Sequence, residues 1–128
     1  MGKKIVIIDD SSQARQFIID ILAPEDSIQC IEAEDGLDGL EKIESHQDAS
    51  IIFCDINMPR MSGLELAEEV NADRAKYGNI PLVIVTTEAS HQLLRRCKEL
   101  SISGWITKPV DSTTLMRIVE KYCPSAAS

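Results

Sequence analysis

Four short stretches place reactive side chains directly after apolar runs. Asp9 and Asp10 follow residues 5–8 (IVII), Asp55 follows residues 51–54 inside FCDINMP, Thr86 and Thr87 follow residues 82–85, and Lys108-Pro109 follows residues 105–107. Taken singly, each has a plain explanation: an aspartate caps a helix, a threonine ends a strand, a lysine is a surface charge. Taken together they are three carboxylates, a hydroxyl and an ammonium. Carboxylates at close quarters repel unless a cation lies between them. An all-oxygen ligand set suits a hard ion such as Mg²⁺, which keeps several waters and is commonly paired with phosphate. Such a group suits phosphoryl transfer, with a carboxylate as nucleophile and the cation, hydroxyl and ammonium taking the phosphoryl oxygens. Gly36 and Gly39 lie in GLDG, which lacks the lysine and the spacing of a nucleotide-cradling loop. The phosphate donor is therefore something other than a tightly held nucleotide.

These residues can meet only if the elements before them share one edge. Five apolar runs, at 5–8, 28–31, 51–54, 82–85 and 105–107, alternate with amphipathic segments. Ala14, Phe17, Ile18, Ile21 and Leu22 recur at helical spacing and predict one buried face, with Ser11 or Ser12 as cap and Pro24 as stop. Leu37, Leu40 and Ile43 give a second helix, and Gly63, Leu66, Ala67 and Val70 a third. Leu93, Leu94, Cys97 and Leu100 mark a fourth, and Leu115, Ile118, Val119 and Tyr122 a fifth, ended by Pro124. Five such units predict an α/β fold: a doubly wound, five-stranded parallel sheet with five helices, connected by right-handed crossovers. In such sheets ligands sit at the C-terminal strand ends, where the strand order reverses. Glu32, after the second run, falls to one side of that place.

Composition excludes other classes. The 128 residues suit a single domain, expected over 1–124 with a short flexible tail at 125–128. A net charge of −8 argues against a nucleic-acid or anionic-membrane surface. Cys30, Cys54, Cys97 and Cys123 are widely spaced and read as reduced core thiols, which implies a cytoplasmic protein. His46 and His91 are not at ligand spacing from any thiol, so zinc is not expected and both read as solvated helix residues. Lys3-Lys4 is followed by only four apolar residues, too few for a signal-peptide core.

With these residues in view, the chain resembles a response-regulator receiver domain over residues 4–123. The resemblance rests on IVIIDD, IIFCDINMPRMSGLEL, PLVIVTTEAS and GWITKP. It is nearest to the stand-alone chemotaxis-type regulators, because the chain ends after the fifth expected helix. The resemblance implies a flavodoxin-like strand order of 2-1-3-4-5. It implies that Asp55 is the phosphoacceptor, taking its phosphoryl group from a phosphohistidine on a histidine kinase or a histidine phosphotransfer protein. Mg²⁺ would be held by the carboxylates of Asp10 and Asp55 and the backbone carbonyl of Asn57, with Asp9 acting through water. Thr86 would bind a phosphoryl oxygen, Lys108 would pair with the phosphate, and the Lys108-Pro109 bond would be cis. Met58 and Pro59 would shape the loop, and Gly63 would let the next helix start close by. The switch aromatic would be Trp105, and a downstream target would dock on the fourth helix, fifth strand and fifth helix of a monomeric domain. The chain would not be an enzyme beyond self-catalysed transfer and autodephosphorylation.

Thr87 stands where the family usually has a small residue, which would narrow access to the phosphoryl group. Asn57 and Glu88 would flank that group and influence its hydrolysis, as in the chemotaxis regulators. Two rival readings exist. A haloacid-dehalogenase-type phosphatase also uses Asp, Thr, Lys and Mg²⁺, but places D-x-D after its first strand, whereas D-x-N occurs here after the third. A phosphorylation-independent interaction module would have no use for the full set Asp9, Asp10, Asp55, Thr86 and Lys108.

Overall fold

The computed structural model of the chain describes residues 3–87 and 90–123. Five strands run β1 (Lys3–Ile8), β2 (Ile28–Ala33), β3 (Ile51–Asp55), β4 (Leu82–Thr86) and β5 (Gly104–Thr107). They form one sheet in the order β2-β1-β3-β4-β5, every neighbour parallel. The fold expected from the sequence is therefore the fold observed.

The helices are α1 (Ser12–Leu22), α2 (Gly36–Ser45), α3 (Gly63–Ala72), α4 (Arg74–Tyr77), α5 (His91–Glu99) and α6 (Ser112–Tyr122). Among the described residues that is one more than the five expected. The extra element, α4, is a single turn capped by the Asp73 side chain, too short to show a helical period in the sequence. The expected fourth and fifth helices are thus α5 and α6.

Alternation along the strands divides the interior in two. Val6, Ile8, Ile52, Cys54 and Ile84 meet α2, α3, α4 and α5 on one face. Ile5, Ile7, Ile51, Phe53, Val85 and Ile106 meet α1 and α6 on the other. β3 is buried along its whole length, as a central parallel strand covered on both sides must be. Each fully buried large side chain contributes about 1.5–3 kcal/mol relative to exposure.

Two helical faces depart from the sequence reading. In α1, Ile18 and Leu22 are buried but Phe17 is 51% exposed, because it lies at the rim of the stripe rather than on it. In α2 the contact face is Gly36, Gly39, Leu40 and Ile43, and Leu37 points outward. A Cβ on Gly39 would lie 2.7 Å from the Ile8 side chain, so the absence of a side chain lets α2 seat closely on the sheet. The GLDG glycines are packing devices. The cysteines are all free thiols; Cys54, Cys97 and Cys123 are buried, while Cys30 is only partly so. His46 caps the C-terminus of α2 and is half-buried rather than fully solvated; its Nδ1 is buried without a hydrogen-bond partner.

Candidate active site at the C-terminal sheet edge

Asp55 is the last residue of β3, paired in register with Val85, and not the first residue of a turn. Its parity matches Ile51 and Phe53, so its side chain leaves the sheet on the α1 and α6 side. Asp9 follows β1 directly and extends the ladder, its N–H donating to the Ala33 carbonyl at 3.1 Å. Lys108 extends the opposite edge, its N–H donating to the Thr86 carbonyl at 2.7 Å. These registers bring three distant segments together. Lys108 Nζ lies 3.3 Å from Asp9 Oδ2 and 3.4 Å from Asp55 Oδ1.

The local backbone supports that arrangement. Asp9 Oδ1 accepts the Ser11 N–H at 2.9 Å, while Ser11 itself caps α1 by accepting from the Ala14 N–H at 3.2 Å. Asp55 Oδ1 accepts the Ile56 N–H at 2.9 Å. Ser62 and Glu65 form a reciprocal capping box at the start of α3. Gly63 then enters the helix directly against β3: a Cβ there would overlap the Asp55 carbonyl oxygen. Arg15, which the sequence reading did not single out, donates from Nη1 to the Asp9 carbonyl at 2.5 Å and from Nε to Glu32 at 2.9 Å. A long cation one helical turn past an acidic pair was the available signal. Glu32 accordingly sits on Arg15, outside the carboxylate cluster.

Asp9 and Asp55 are buried and Asp10 is exposed. Oxygens of all three come within 4.8 Å of one another. Burial pushes the Asp55 carboxyl above the usual carboxylate range, and the neighbouring Asp9 charge adds to the rise; Lys108 opposes both. For Lys108 burial acts first and downward, but the charges of Asp55 and Asp9 outweigh it and hold the ammonium above its ordinary value. One lysine does not balance three carboxylates. The oxygen-only donors and the surplus negative charge fit a hard divalent cation of the Mg²⁺ type.

The remaining expected residues fall around this centre. Thr86 ends β4, 1% exposed, on the α5 side of the sheet. Asn57 and Thr87 are exposed, and Met58 is half-buried against the core. The Lys108-Pro109 bond is cis, with Pro109 exposed. Trp105 lies on the edge strand β5 and is 38% exposed. Glu88 lies outside the described residues. A hollow of about 200 Å³ opens beside the centre, lined by Asp9, Phe17, Ile18, Val85, Lys108 and Pro109. No helix among the described residues is long and apolar enough to cross a membrane.

Residues 5–120 match the family model of the response regulator receiver domain. The chain belongs to that family. The chemotaxis protein CheY1 of Helicobacter pylori is 31% identical over 117 residues, spanning 91% of this chain and 94% of that one. A CheY homologue of Campylobacter jejuni is likewise 31% identical over 117 residues, 91% of this chain and 89% of its own. Among solved structures, CheY4 of Vibrio cholerae superposes with a TM-score of 0.85 at 28% identity, covering 95% of this chain and 99% of that one. A CheY-like receiver domain from Methanospirillum hungatei gives 0.83 at 26% identity, covering 99% and 98%. This is a CheY-type receiver domain of a response regulator. In a receiver domain the carboxylate cluster at the sheet edge has an evident use, since phosphorylation on aspartate with Mg²⁺ is a general property of the family.

Proposed function

We propose that this receiver domain accepts a phosphoryl group on Asp55 from a phosphohistidine and uses the modification to change partner binding. The observation that carries the reading is the convergence of Asp55, Asp9 and Lys108 from three strands on one point of the sheet edge. In the transfer, an Asp55 carboxylate oxygen forms the new bond to phosphorus while the bond to the donor imidazole nitrogen breaks, and the imidazole leaves with the electron pair. Lys108, already within ion-pair distance of Asp55, balances the charge gained on the phosphoryl oxygens. Thr86 offers its hydroxyl to one of those oxygens from the adjacent strand end. Asp10 and Asp55, with the Asn57 carbonyl, would hold Mg²⁺, and Asp9 would do so through water. Mg²⁺ supplies neutralisation of the phosphoryl charge.

The donor is a histidine kinase or a histidine phosphotransfer protein, and the downstream partner is a protein that docks on α5, β5 and α6. Transfer and later hydrolysis are self-catalysed, with Asn57 and Thr87 modulating their rates, and with the same modulating role carried to Glu88 and Pro109 from the family resemblance alone. The chain is read as a monomeric cytoplasmic protein.

The test is labelling with a small phosphodonor. Acetyl phosphate with Mg²⁺ should yield an acid-stable, base-labile acyl phosphate at Asp55, lost in Asp55→Asn and suppressed by chelation. Undiminished labelling of Asp55→Asn would overturn the assignment. Failure of the wild-type protein to label with any donor would favour a phosphorylation-independent interaction module, and turnover of a phosphomonoester would favour a phosphatase.

A further inference from the structure

Asp35 is buried to 3% exposure and takes no part in the carboxylate cluster. Its Oδ1 caps α2 by accepting the Asp38 N–H at 2.8 Å. Capping does not require a charge, because asparagine serves as well as aspartate at that position. The charge is met instead by Arg60, whose guanidinium bonds Asp35 Oδ2 across 25 positions of sequence. Arg60 belongs to the loop that joins β3 to α3, and it adopts a left-handed φ of 67°. Glycine or asparagine takes that conformation at lower cost than arginine. What the arginine supplies there is its bond to a buried carboxylate, which is costly to leave unpaired.

The neighbouring positions make a second contact between the same two segments. A Cβ on Gly36 would lie 2.6 Å from Met61 Cβ, so the start of α2 and the loop are pressed together at 35 with 60 and again at 36 with 61. The other end of the loop is held by Gly63 N–H donating to the Ile56 carbonyl at 2.9 Å, and by Ile56 N–H on Asp55. Asn57 lies between these two fixings.

We infer that Asp35 and Arg60 are positioning residues: their ion pair clamps the β3–α3 loop to the start of α2 and so sets the Asn57 backbone for the divalent cation. The inference rests on the reading of the Asp9, Asp10 and Asp55 cluster as an Mg²⁺ site. Groups that support a metal ligand from behind typically alter affinity by 10–100-fold when removed.

The test is Mg²⁺ binding by titration calorimetry, alongside melting temperature and acetyl phosphate labelling. Asp35→Asn keeps the cap and removes the charge; Arg60→Asn keeps the left-handed residue and removes the guanidinium. Each should weaken Mg²⁺ binding roughly tenfold, and the double variant should be no worse than either single one, because the pair acts as a unit. Arg60→Lys should recover part of the affinity. Labelling should slow at limiting Mg²⁺ and approach the wild-type rate at saturation. A merely structural pair would lower the melting temperature and leave Mg²⁺ affinity unchanged, and that result overturns the clamp. A wild-type protein that binds no Mg²⁺ and takes no label would overturn the site reading and the clamp with it. Wild-type binding and labelling with variants to match would overturn the clamp alone.

Discussion

Asp55 meets two demands that pull against each other. As the proposed phosphoacceptor it must be buried enough to exclude water from the reacting group and ionised enough to attack. Burial, and Asp9 beside it, both favour the protonated form, and Lys108 offsets them only in part. The sign for stability follows. A carboxyl whose folded pKa lies above its unfolded value binds its proton more tightly when folded. Its favourable contribution is therefore complete in acid, below the unfolded pKa of about 4, and is lost as pH rises through the folded value. At neutral pH, without a divalent ion, ionised Asp55 should cost the fold stability. Asp55→Asn should accordingly melt at a higher temperature than wild type at pH 7, with the gap closing as pH falls toward 4 and also when Mg²⁺ is added. Thermal melts across pH 4–8, with and without chelator, decide this. A variant that melts below wild type at pH 7 in chelator would contradict the electrostatic account.

The elements deliver these residues by strand register and by close helix seating, and the two differ in how well the sequence shows them. Gly63 is the sharpest case of seating. Any Cβ there meets the Asp55 carbonyl oxygen and Ile56 Cα, both main-chain atoms that cannot rotate aside. Gly63→Ala should destabilise the fold by about 1–3 kcal/mol, the usual range for overpacking. It should also slow labelling of Asp55, because the main chain that must yield is the one bearing the proposed nucleophile. Denaturant unfolding and acetyl phosphate labelling check the two parts separately; a stability loss with no change in labelling would detach Gly63 from the chemistry. The parallel sheet, by contrast, was legible, since five β-rich apolar runs alternating with helical periods admit few architectures and the residues after each run then fall on one edge; the order of its strands came from the family resemblance. The Asp9, Asp55 and Lys108 grouping followed from that edge. What the sequence did not show depends on contact rather than period. The one-turn α4 has no repeat to detect, Phe17 satisfies the helical pattern while lying at its rim, and the Gly36 and Gly39 face is defined by side chains that are missing. Arg15 offered only its place a short way past the acidic pair, and Arg60 offered nothing, because an arginine on a carbonyl or a buried carboxylate looks like a surface charge until its partner is placed.

Across the whole molecule, the question is how a change at Asp55 reaches a surface where a partner can read it. Phosphorylation adds roughly −1.5 to −2 charges, taking the phosphoserine range as a guide, together with new acceptor oxygens. The sheet offers a short route. In the β4–β5 register Ile84 pairs with Trp105 and Thr86 with Thr107, so Thr86 and Trp105 rise from the same face of adjacent strands, one pleat apart. Lys108 has the opposite parity, which separates the charge partner of Asp55 from the aromatic. Trp105 is half exposed, and a hollow of about 290 Å³ beside it is lined by His91, Leu94, Arg95 and Lys98 of α5. The indole therefore has room on the face formed by α5, β5 and α6. If Thr86 turns toward the phosphoryl group, the space it leaves is on the Trp105 side of the sheet, and the indole can move inward to occupy it. That would change both the shape and the apolar area of the proposed docking face. Trp105 is the only tryptophan in the chain, so its emission reports this movement without a label. Emission should shift when Asp55 is phosphorylated or when beryllofluoride is added to the wild-type protein, and much less in Thr86→Ala. Unaltered emission from a protein shown to be fully phosphorylated at Asp55 would mean that Trp105 is a fixed surface residue and that the signal leaves the site by another route.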